Sequence, residues 1–464
     1  MMTTIQKPPN REDTAEQRTH PRLFFKRAGH WSLYLYRVIA AEISATTRYF
    51  DRVVQVAPLP HDSGYLLETI DCPERSVVDT IADLPDLSGE RDRRTAVMMN
   101  GNFNYPVDIH ALLAELKPKL ARTSRLTVVA YNPYYRWLYR LAELVGLRKC
   151  QAPSTFLTRA DVLPMAQLTG YDVVRIRPCG YFPFRWLGFG SVVNWMLPAI
   201  PLLRWLGMVS VVTFRPKAPE TGRPSLSIVI PARNEKGNIE NALRRMPDVG
   251  AKLDIIFVEG HSQDGTWEEI KRVQAEWSDR YAIQAFRQTG KGKNDAVRLG
   301  FEHAKGELLT ILDADLTMPP ELLGRFYEAW LSGEADFVNG TRLVYPMEGE
   351  AMRFLNRLGN IFFAKALSFV LGMRLGDSLC GTKLLAAHDY ARIVRWRNDF
   401  GDFDPFGDFE LLFPAAILTL GVIDIPIRYR ARTYGSTQIN RFRHGWELLR
   451  MTAIGLVRVR TGRI

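Results

Sequence analysis

The sequence predicts an α/β protein in which helices alternate with the strands of parallel sheets. Three observations lead to this class. Short apolar runs and helical patterns alternate from residue 225 to residue 312. Residues 30–216 show a similar alternation, with short β-branched runs between helical patterns. Polar motifs also follow directly after the predicted strands, where open α/β sheets bind their ligands.

The composition indicates a folded protein of more than one domain. With 464 residues the chain is long enough for two or three domains, and its contents of 46% hydrophobic and 24% charged residues are ordinary. The net charge of +11 favours an anionic partner such as a nucleotide diphosphate, a phospholipid surface or nucleic acid. The four cysteines, Cys72, Cys150, Cys179 and Cys380, are widely spaced, which argues against a zinc site or a disulfide framework and favours a reducing cytoplasm.

The amino-terminal region shows no pattern of a secretion signal. Residues 1–29 are polar and lack the apolar core of a signal peptide, so we expect a disordered tail. The segment 187–203 comes nearest to a membrane span, but Asn194, Pro198 and Pro201 interrupt it and its length is at the lower limit. We expect this segment to be buried in the first domain.

Residues 30–216 are expected to form that first domain. Helical and strand patterns alternate in it, at residues 108–120, 126–130, 158–168 and 172–177. Thr158 with Asp161 three residues later is typical of a helix start. Residues 217–224 combine proline, glycine and charge without apolar periodicity, which indicates a linker.

Three stretches of this domain carry a resemblance to a known family. They read ELKPKLARTSRLTVVAYNPYY, FLTRADVLPMAQLTGYDVVRIRP and NWMLPAIPLLRWLGMVSVVTFRP. They resemble the carboxyl-terminal half of class I S-adenosylmethionine-dependent methyltransferases, which bind the cofactor through a glycine-rich turn after the first strand. The matching region, from residue 51 onward, has no Gly-x-Gly, and its nearest glycine is Gly64. We expect a Rossmann-like, methyltransferase-type scaffold that has lost its cofactor loop, and S-adenosylmethionine is not an expected ligand.

From residue 225 onward the order of elements is regular. Predicted strands cover residues 225–231, 253–258, 282–286 and 307–312, and predicted helices cover 238–246, 265–277 and 294–304. Four polar motifs follow predicted strands: PARNE at 231–235, EGHSQDGT at 259–266, GKGKN at 290–294 and DAD at 313–315. Because ligands bind beyond the carboxyl ends of parallel strands, we expect the four motifs to share one site.

Asp313 and Asp315 are the centre of this predicted site. Along an extended chain the two carboxylates point the same way, with Ala314 on the opposite face. Their mutual repulsion is removed by a divalent cation, and Mg²⁺ or Mn²⁺ prefers such oxygen ligands together with phosphate oxygens. The pattern therefore predicts a metal site, with a solvated acidic turn as the alternative.

Further motifs continue this pattern to about residue 440. They are DADL at 313–316, PP at 319–320, GTR at 340–342, CGTK at 380–383 and RTYG at 432–435. Taken with the earlier motifs, they make residues 225–440 similar to family 2 glycosyltransferases of the GT-A fold, close to the dolichyl-phosphate mannose synthase and polyprenyl-phosphate glycosyltransferase branch. The resemblance implies metal-dependent, inverting transfer of a sugar from a nucleotide sugar, with Mg²⁺ or Mn²⁺ as the cofactor.

The same resemblance implies roles for single residues. The implied nucleotide-sugar contacts are Pro231, Ala232, Asn234, Glu235, Glu259, Asp313 and the lysines Lys291 or Lys293, which would lie near the diphosphate. The implied metal ligands are Asp313 and Asp315, Glu410 matches an acidic residue of the family's active site, and Arg432 would face phosphate.

The acceptor decides whether a general base is needed. An attacking phosphate is already anionic, whereas an attacking hydroxyl needs a positioned carboxylate. The candidates are Asp377, Asp402, Asp404 and Asp408, although the last three lie in a stretch that can equally be a turn-rich loop. We expect a polyprenyl-phosphate-type acceptor. The alternatives are a saccharide hydroxyl in polysaccharide or glycolipid synthesis and, from another class, a non-catalytic scaffold.

Two basic segments suggest that the acceptor is bound at a membrane surface. Residues 353–373 form a cationic, strongly apolar helix pattern that fits either a membrane interface or the packing of a core. Residues 441–464 form a basic helix or tail, and an excess of arginine suits lipid phosphates and anionic headgroups. We expect a cytoplasmic protein attached peripherally to the inner face of the cell membrane. No nucleic-acid partner is expected, because no binding module is recognised.

Overall fold

The computed structural model describes residues 30–146, 153–345, 354–401, 404, 407–430, 434 and 441–460. These residues form two mixed sheets, one in each half of the chain, with helices packed against both. The α/β class predicted from the sequence is therefore confirmed.

The first sheet has six strands. They are β1 (Arg52–Val56), β2 (Glu74–Val78), β3 (Thr95–Asn100), β4 (Arg125–Tyr131), β5 (Tyr171–Cys179) and β6 (Val209–Pro216). Their spatial order is β2-β1-β3-β4-β6-β5, and β6 runs antiparallel to both of its neighbours while β1 to β4 are parallel. The helices of this half are α1 (His30–Thr47), α2 (Tyr65–Thr69), α3 (Ile109–Leu116), α4 (Arg136–Leu144), α5 (Arg159–Leu168) and α6 (Phe189–Met196).

Local sequence signals set the ends of these helices. Thr158 and Asp161 form the expected capping box at the start of α5, in which the Thr158 backbone amide donates to Asp161 Oδ2 at 2.8 Å. Asp108 caps α3 by accepting a hydrogen bond from the Ala111 amide at 3.0 Å. α3 ends at Leu116, before the predicted boundary, because Pro118 lacks an amide donor and the chain tightens into a 3₁₀ turn there.

The second sheet has seven strands. They are β7 (Leu226–Ala232), β8 (Leu253–Glu259), β9 (Ala282–Arg287), β10 (Leu308–Ile311), β11 (Phe337–Thr341), β12 (Lys383–Ala386) and β13 (Val422–Pro426). Their order is β13-β11-β12-β10-β7-β8-β9. The helices are α7 (Ile239–Arg244), α8 (Thr266–Glu276), α9 (Lys293–His303), α10 (Leu323–Leu331), α11 (Phe354–Leu371), α12 (Ala387–Phe400), α13 (Phe409–Ile417) and α14 (Arg441–Gly455), followed by a π-helical turn at Leu456–Arg460.

The prediction of a parallel second sheet was right for four strands and wrong for the sheet as a whole. β7 to β10 are parallel, but β12 lies between β10 and β11 and runs antiparallel to both. Apolar periodicity identifies a strand without encoding its direction, which depends on where the chain re-enters the sheet.

Both faces of the central strands are buried. Val229 and Ile311 belong to a core cluster shared with α9 and α11 to α14, while Ile228 and Ile230 belong to a second cluster shared with α7, α8 and α10. Double burial explains why these strands have nearly continuous apolar sequences. It also leaves the carboxyl ends of the strands as the edge at which polar loops gather.

Buried arginines join the two halves. Asp336, directly before β11, accepts hydrogen bonds from Arg125 Nη2 at 2.6 Å and from Arg122 Nε and Arg215 Nη1, each at 3.3 Å. The side chains of Arg125 and Arg215 are 0% exposed. Burial alone would raise the pKa of Asp336, but the three arginines outweigh it and hold that pKa far below its usual range.

Each half also donates hydrogen bonds to main-chain oxygens of the other half. Arg94 Nη1 donates to the main-chain oxygen of Leu418 at 2.5 Å, and Arg125 Nε donates to that of Thr419 at 2.8 Å. In return, Arg392 from α12 donates to the main-chain oxygen of Tyr49 at 3.0 Å. The predicted linker 217–224 has no regular structure and lies against α10, because the Glu220 amide donates to the oxygen of Leu331 at 2.8 Å.

The segment 187–203 is not buried, contrary to the prediction. α6 covers its first part, Leu187 is fully exposed, and Leu202 is 85% exposed. Across the described ranges, no helix is long and apolar enough to cross a membrane. The predicted helix at 353–373 corresponds to α11, which packs Phe363 and Leu367 into the core and exposes Leu358 and Phe362.

Candidate functional site

A cleft of about 400 Å³ opens beyond the carboxyl ends of β7, β8 and β10. Its lining includes Pro231, Ala232, Arg233, Glu235, Gly260, Gln288, Lys293, Asp313, Asp315, Thr317, Arg342, Cys380, Gly381, Thr382 and Tyr429. Three of the four predicted motifs contribute a polar or charged side chain to this lining, and the motif at 259–266 contributes Gly260.

A larger cavity of about 830 Å³ lies between the two halves. It is lined by Glu307 and Leu308 at the start of β10 and by His110 of α3. This position is the opposite end of the parallel strands from the one where α/β sheets bind ligands. The smaller cleft is therefore the better candidate for chemistry.

Asp313 and Asp315 both line the cleft, but not for the predicted reason. β10 ends at Ile311, and the Leu316 amide donates to the main-chain oxygen of Asp313 at 3.2 Å, with φ of 52° at Leu316. The acids therefore sit in a tight turn and not on an extended strand. Asp315 Oδ1 accepts from the amide and the hydroxyl of Thr317, at 3.1 and 2.7 Å, which fixes its carboxylate.

Lys293 at the first turn of α9 forms an ion pair with Asp313. Burial alone would raise the pKa of Asp313, but the ammonium group of Lys293 outweighs this effect, so the pKa lies below its usual value. Burial alone would lower the pKa of Lys293, but Asp313 and Asp408 outweigh it and raise that pKa. Both groups are therefore held in their charged forms.

Arg342 adds a second cation, which the sequence reasoning did not assign to the site. Its Nε and Nη2 donate to the two oxygens of Asp377 at 2.7 and 2.9 Å, and the guanidinium carbon lies 5.5 Å from the centre of the Tyr429 ring. Asp377 is completely buried, so the pair fixes Arg342 at the cleft wall. The only signal in the sequence was the GTR motif after a strand, because the partner acid is distant along the chain.

Other lining residues were also missed. Arg233 is exposed at the cleft, and the side-chain Nε2 of Gln288 donates to the main-chain oxygen of Gly290 at 3.4 Å. Gly381 approaches the ion pair so closely that a Cβ there would lie 2.1 Å from Lys293 Nζ and 2.5 Å from Asp313 Oδ2. The CGTK motif contained Gly381, but nothing in the sequence revealed what it would face.

The predicted nucleotide contacts divide into two groups. Pro231, Ala232 and Glu235 line the cleft, and Asn238 Nδ2 donates to Glu235 Oε2 at 2.7 Å. Asn234, with φ of 55°, is not a lining residue. Its amide donates to the Ser262 hydroxyl at 3.0 Å, and its Oδ1 accepts from the Gln263 amide at 2.8 Å, so it ties the first two loops together.

Glu259 and Lys291 also lie outside the lining of the cleft. The buried Glu259 carboxylate accepts from the Ser262 amide and lies 3.6 Å from Arg287 Nε, which shapes the second loop. Lys291 is exposed, so of the two predicted lysines only Lys293 lines the cleft. His261 Nε2 pairs with the Gly290 oxygen at 3.1 Å, as a loop residue.

Glu410, for which the resemblance implied a catalytic role, does not line the cleft. Its carboxylate pairs with Arg298 of α9 and accepts from Arg397 Nη1 at 2.6 Å and from Asn294 Nδ2 at 2.9 Å. A carboxylate with these partners anchors α13 to α9 and α12. It thereby supports the helix that begins with Lys293.

The remaining predicted acids also have protein partners. Asp408 pairs with the buried Lys383. Asp404 Oδ2 accepts from the Phe409 and Glu410 amides at 2.7 and 2.9 Å and caps α13. Asp402 and Arg432 lie outside the described residues.

Within the described part of the chain, no group of three or more histidine, cysteine or acidic side chains could hold a metal ion. Three carboxylates line the cleft: Asp313 and Asp315 belong to one turn, and Glu235 accepts a hydrogen bond from Asn238 Nδ2. Mg²⁺ commonly binds through one or two carboxylates together with substrate phosphates. The donor set therefore fits a metal that arrives with a diphosphate and does not fit a cage made by the protein alone.

In the first half, the sheet order changes direction between β1 and β3, which is where α/β sheets bind ligands. Asp62 lies over this point. Its Oδ2 accepts from Gln55 Nε2 at 2.6 Å and Asn100 Nδ2 at 2.9 Å, and its Oδ1 accepts from the Gly64 amide at 2.9 Å. The polar groups at this crevice are thus bonded to one another.

The second half is similar to known proteins. Residues 227–390 match the family described as Glycosyl transferase family 2. A dolichol-phosphate mannosyltransferase of Pyrococcus furiosus is 34% identical over 136 residues, which are 29% of this chain and 37% of that protein. The enzyme of the same name from Saccharomyces cerevisiae is 36% identical over 122 residues, or 25% of this chain and 44% of that protein.

The matched stretches cover less than half of either relative. Among solved structures, glucosyl-3-phosphoglycerate synthase of Mycobacterium tuberculosis, crystallised with Mn²⁺, UDP and glucosyl-3-phosphoglycerate, aligns with a TM-score of 0.36 at 17% identity, over 51% of this chain and 80% of that one. The family match spans β10 with the turn that carries Asp313 and Asp315, and the start of α9 with Lys293. Residues 227–390 are therefore similar to a glycosyl transferase family 2 domain.

Proposed function

We propose that the protein is a metal-dependent, inverting glycosyltransferase of the GT-A type that moves a sugar from a nucleotide sugar to a polyprenyl-phosphate-type lipid. The observation that carries this proposal is the cleft in which Asp313, Asp315, Lys293 and Arg342 meet. The relatives named dolichol-phosphate mannosyltransferase support a lipid-phosphate acceptor.

The donor side of the reaction must stabilise a departing diphosphate. Asp313 and Asp315 would hold Mg²⁺ or Mn²⁺, which when bound neutralises the charge that develops on the leaving group. Lys293 and Arg342 are cations that buried or cleft-side acids already hold in place. Preorganised charge of this kind needs no rearrangement during the reaction. Pro231, Ala232 and Glu235 then face the nucleoside end.

The acceptor side favours an anion over a hydroxyl. Asp377 is engaged by Arg342, Asp408 by Lys383, and Asp404 caps α13. A hydroxyl acceptor needs a carboxylate to take its proton, and these three candidates are committed to other contacts. A phosphate acceptor needs no such base, so the arrangement supports a lipid phosphate.

Two further assignments belong to this proposal. The protein acts in the cytoplasm at the inner face of the cell membrane, because a polyprenyl phosphate is a membrane lipid and the net charge of +11 favours anionic surfaces. The first half is a methyltransferase-like scaffold that binds no S-adenosylmethionine. The bonded network around Asp62 at its switch point supports that view.

A product analysis tests the acceptor. The full chain, supplied with Mn²⁺ and a panel of radiolabelled nucleotide sugars, is expected to transfer label to polyprenyl phosphate and not to free saccharides. Thermal unfolding measured with each nucleotide sugar would first identify the donor, because a ligand that binds the folded state raises the melting temperature. Label found only in saccharide products would contradict the lipid acceptor. No binding of any donor would favour a scaffold.

Gly381→Ala tests the ion pair at the base of the cleft. The added Cβ meets the ends of the Lys293 and Asp313 side chains, so we expect the protein to fold and the ion pair to be displaced. Affinity for the nucleotide sugar should fall roughly ten- to hundredfold, the range for losing a hydrogen bond to a charged group. Isothermal titration calorimetry measures this affinity. Gly324→Ala is the matched control, since nothing lies within 4 Å of a Cβ there. Unchanged affinity in Gly381→Ala would remove Lys293 from the donor site.

A further inference from the structure

We propose that an exposed apolar face, which lies mainly on the first half and extends onto the second, docks on the surface of a bilayer that contains anionic phospholipid. The apolar face consists of residues 184–206 together with the exposed sides of α4 and α11. The inference deepens the proposed function, on which it rests, by naming the surface that brings the cleft to a lipid acceptor.

The segment 184–206 presents large apolar side chains to water. Trp186 is 68% exposed, Phe189 54% and Leu202 85%, and Leu187 is fully exposed. The ring centres of Trp186 and Phe189 lie 6.0 Å apart, and Phe182 stacks on Trp186 at 6.3 Å, so the aromatic residues support one another. Soluble monomers rarely expose a contiguous apolar patch of this kind, and such patches mark interaction sites.

On one side the patch continues onto α4. The Tyr135 hydroxyl, directly before α4, donates to the main-chain oxygen of Leu206 at 2.5 Å. Trp137, Leu141 and Leu144 are exposed on α4, and their spacing places them on one face of the helix. The apolar face therefore extends beyond the loop segment into a regular helix.

On the other side the patch reaches α11, in the half that holds the cleft. The guanidinium carbon of Arg204 lies 5.1 Å from the centre of the Phe369 ring in α11. Leu358 and Phe362 are exposed on the same helix. The apolar face thus crosses from one half to the other.

The charges around the apolar face select a lipid surface over other occupants. The sequence has no aspartate or glutamate between Asp172 and Glu220, whereas Arg185 and Arg204 lie within the segment. α11 contains Arg357 and Lys365 and no acid. Tryptophan rings and basic side chains beside aliphatic ones match the interfacial zone of an anionic membrane, where each part finds its preferred surroundings.

Vesicle flotation with the full chain tests this proposal. We expect the protein to float with vesicles of phosphatidylcholine mixed with phosphatidylglycerol and to bind pure phosphatidylcholine vesicles more weakly. The double variant Leu187→Asp with Leu202→Asp should lose about tenfold or more in partitioning, because carboxylates are costly to insert among lipids. Leu168→Asp is the matched control. Leu168 is 78% exposed but lines the cavity between the halves instead of the apolar face.

The assay contains neither donor nor metal ion, so its result does not depend on whether the glycosyltransferase proposal holds. Equal flotation of the double variant and the unaltered protein would overturn the proposal. Failure of the unaltered protein to bind either vesicle would do the same. Analytical ultracentrifugation tests whether a second copy of the chain binds the apolar face instead. A dimer that the double variant loses would make this face an interface between two copies and overturn membrane docking.

Discussion

Replacing Asp336 with alanine is expected to lower the free energy of unfolding by about 3–5 kcal/mol, the cost of removing one partner from a buried ion pair. The change leaves Arg125 and Arg215, both 0% exposed, without their shared carboxylate. It also removes an acceptor for the Gly421 amide, at 3.1 Å from Asp336 Oδ2. Denaturant unfolding of the full chain, followed by circular dichroism, measures the loss.

Asp172→Ala provides the matched control, because Asp172 also lies near Arg215, at 3.9 Å, but is 43% exposed. A long ion pair whose carboxylate is open to solvent is expected to contribute about 1 kcal/mol or less. If the two variants lost similar amounts of unfolding free energy, the buried position of Asp336 would not be what makes its ion pairs stabilise the contact between the halves.

The same carboxylate gives the stability a defined pH dependence. The pKa of Asp336 is lowered in the folded protein, so its contribution is complete above the unfolded value of about 3.9 and is lost as the pH falls through the folded pKa. The unaltered protein should therefore lose stability on acidification below about pH 4 more steeply than Asp336→Ala. Parallel pH profiles for the two proteins would contradict this assignment.

Asp315→Asn is expected to lower the rate of sugar transfer by roughly 10²–10³, as removal of a preorganised electrostatic group does in other active sites. Asparagine keeps Oδ1 as an acceptor for the Thr317 amide and hydroxyl, so the turn at 313–316 should persist. The variant loses the negative charge that would hold a divalent ion. Transfer rates at varied Mn²⁺ concentration measure the effect, with the melting temperature as the check on folding.

Asp86→Asn is the matched control for this variant. Asp86 Oδ1 accepts from the Ser88 amide at 2.9 Å, so it occupies the same kind of turn, but it lies in the first half and does not line the cleft. Its activity should be unchanged. Full activity in Asp315→Asn would refute a metal-holding role for Asp315.

Local interactions made much of the fold predictable from the sequence. The capping box of Thr158 and Asp161 lies within one helical turn, so the start of α5 can be predicted from a short window. The order of strands and helices from β7 to β10 follows from apolar periodicity in the same way. The clustering of motifs at one edge then followed from the geometry of parallel strands, which placed Asp313, Asp315 and Lys293 together.

The errors arose where distant parts of the chain meet. Glu410 was assigned a catalytic role because it matches an acidic residue of the resembled family, and its pairing with Arg298 and Arg397 on two other helices could not be predicted from the sequence. The antiparallel direction of β12 depends on how the chain returns to the sheet. The segment 187–203 was expected to be buried because apolar runs usually form cores, and exposure depends on what packs against them.

The arginines that donate to main-chain oxygens across the interface between the two halves also affect where the cleft lies. Arg94 and Arg125 hold the loop at Leu418 and Thr419, so the two halves resist hinging about each other. On the proposed docking, the apolar face would fix the protein on the bilayer, and the cleft would stay at a constant height above the lipid headgroups. In the proposed reaction, a lipid phosphate that projects to that height would reach the cleft, and one level with the neighbouring headgroups would not.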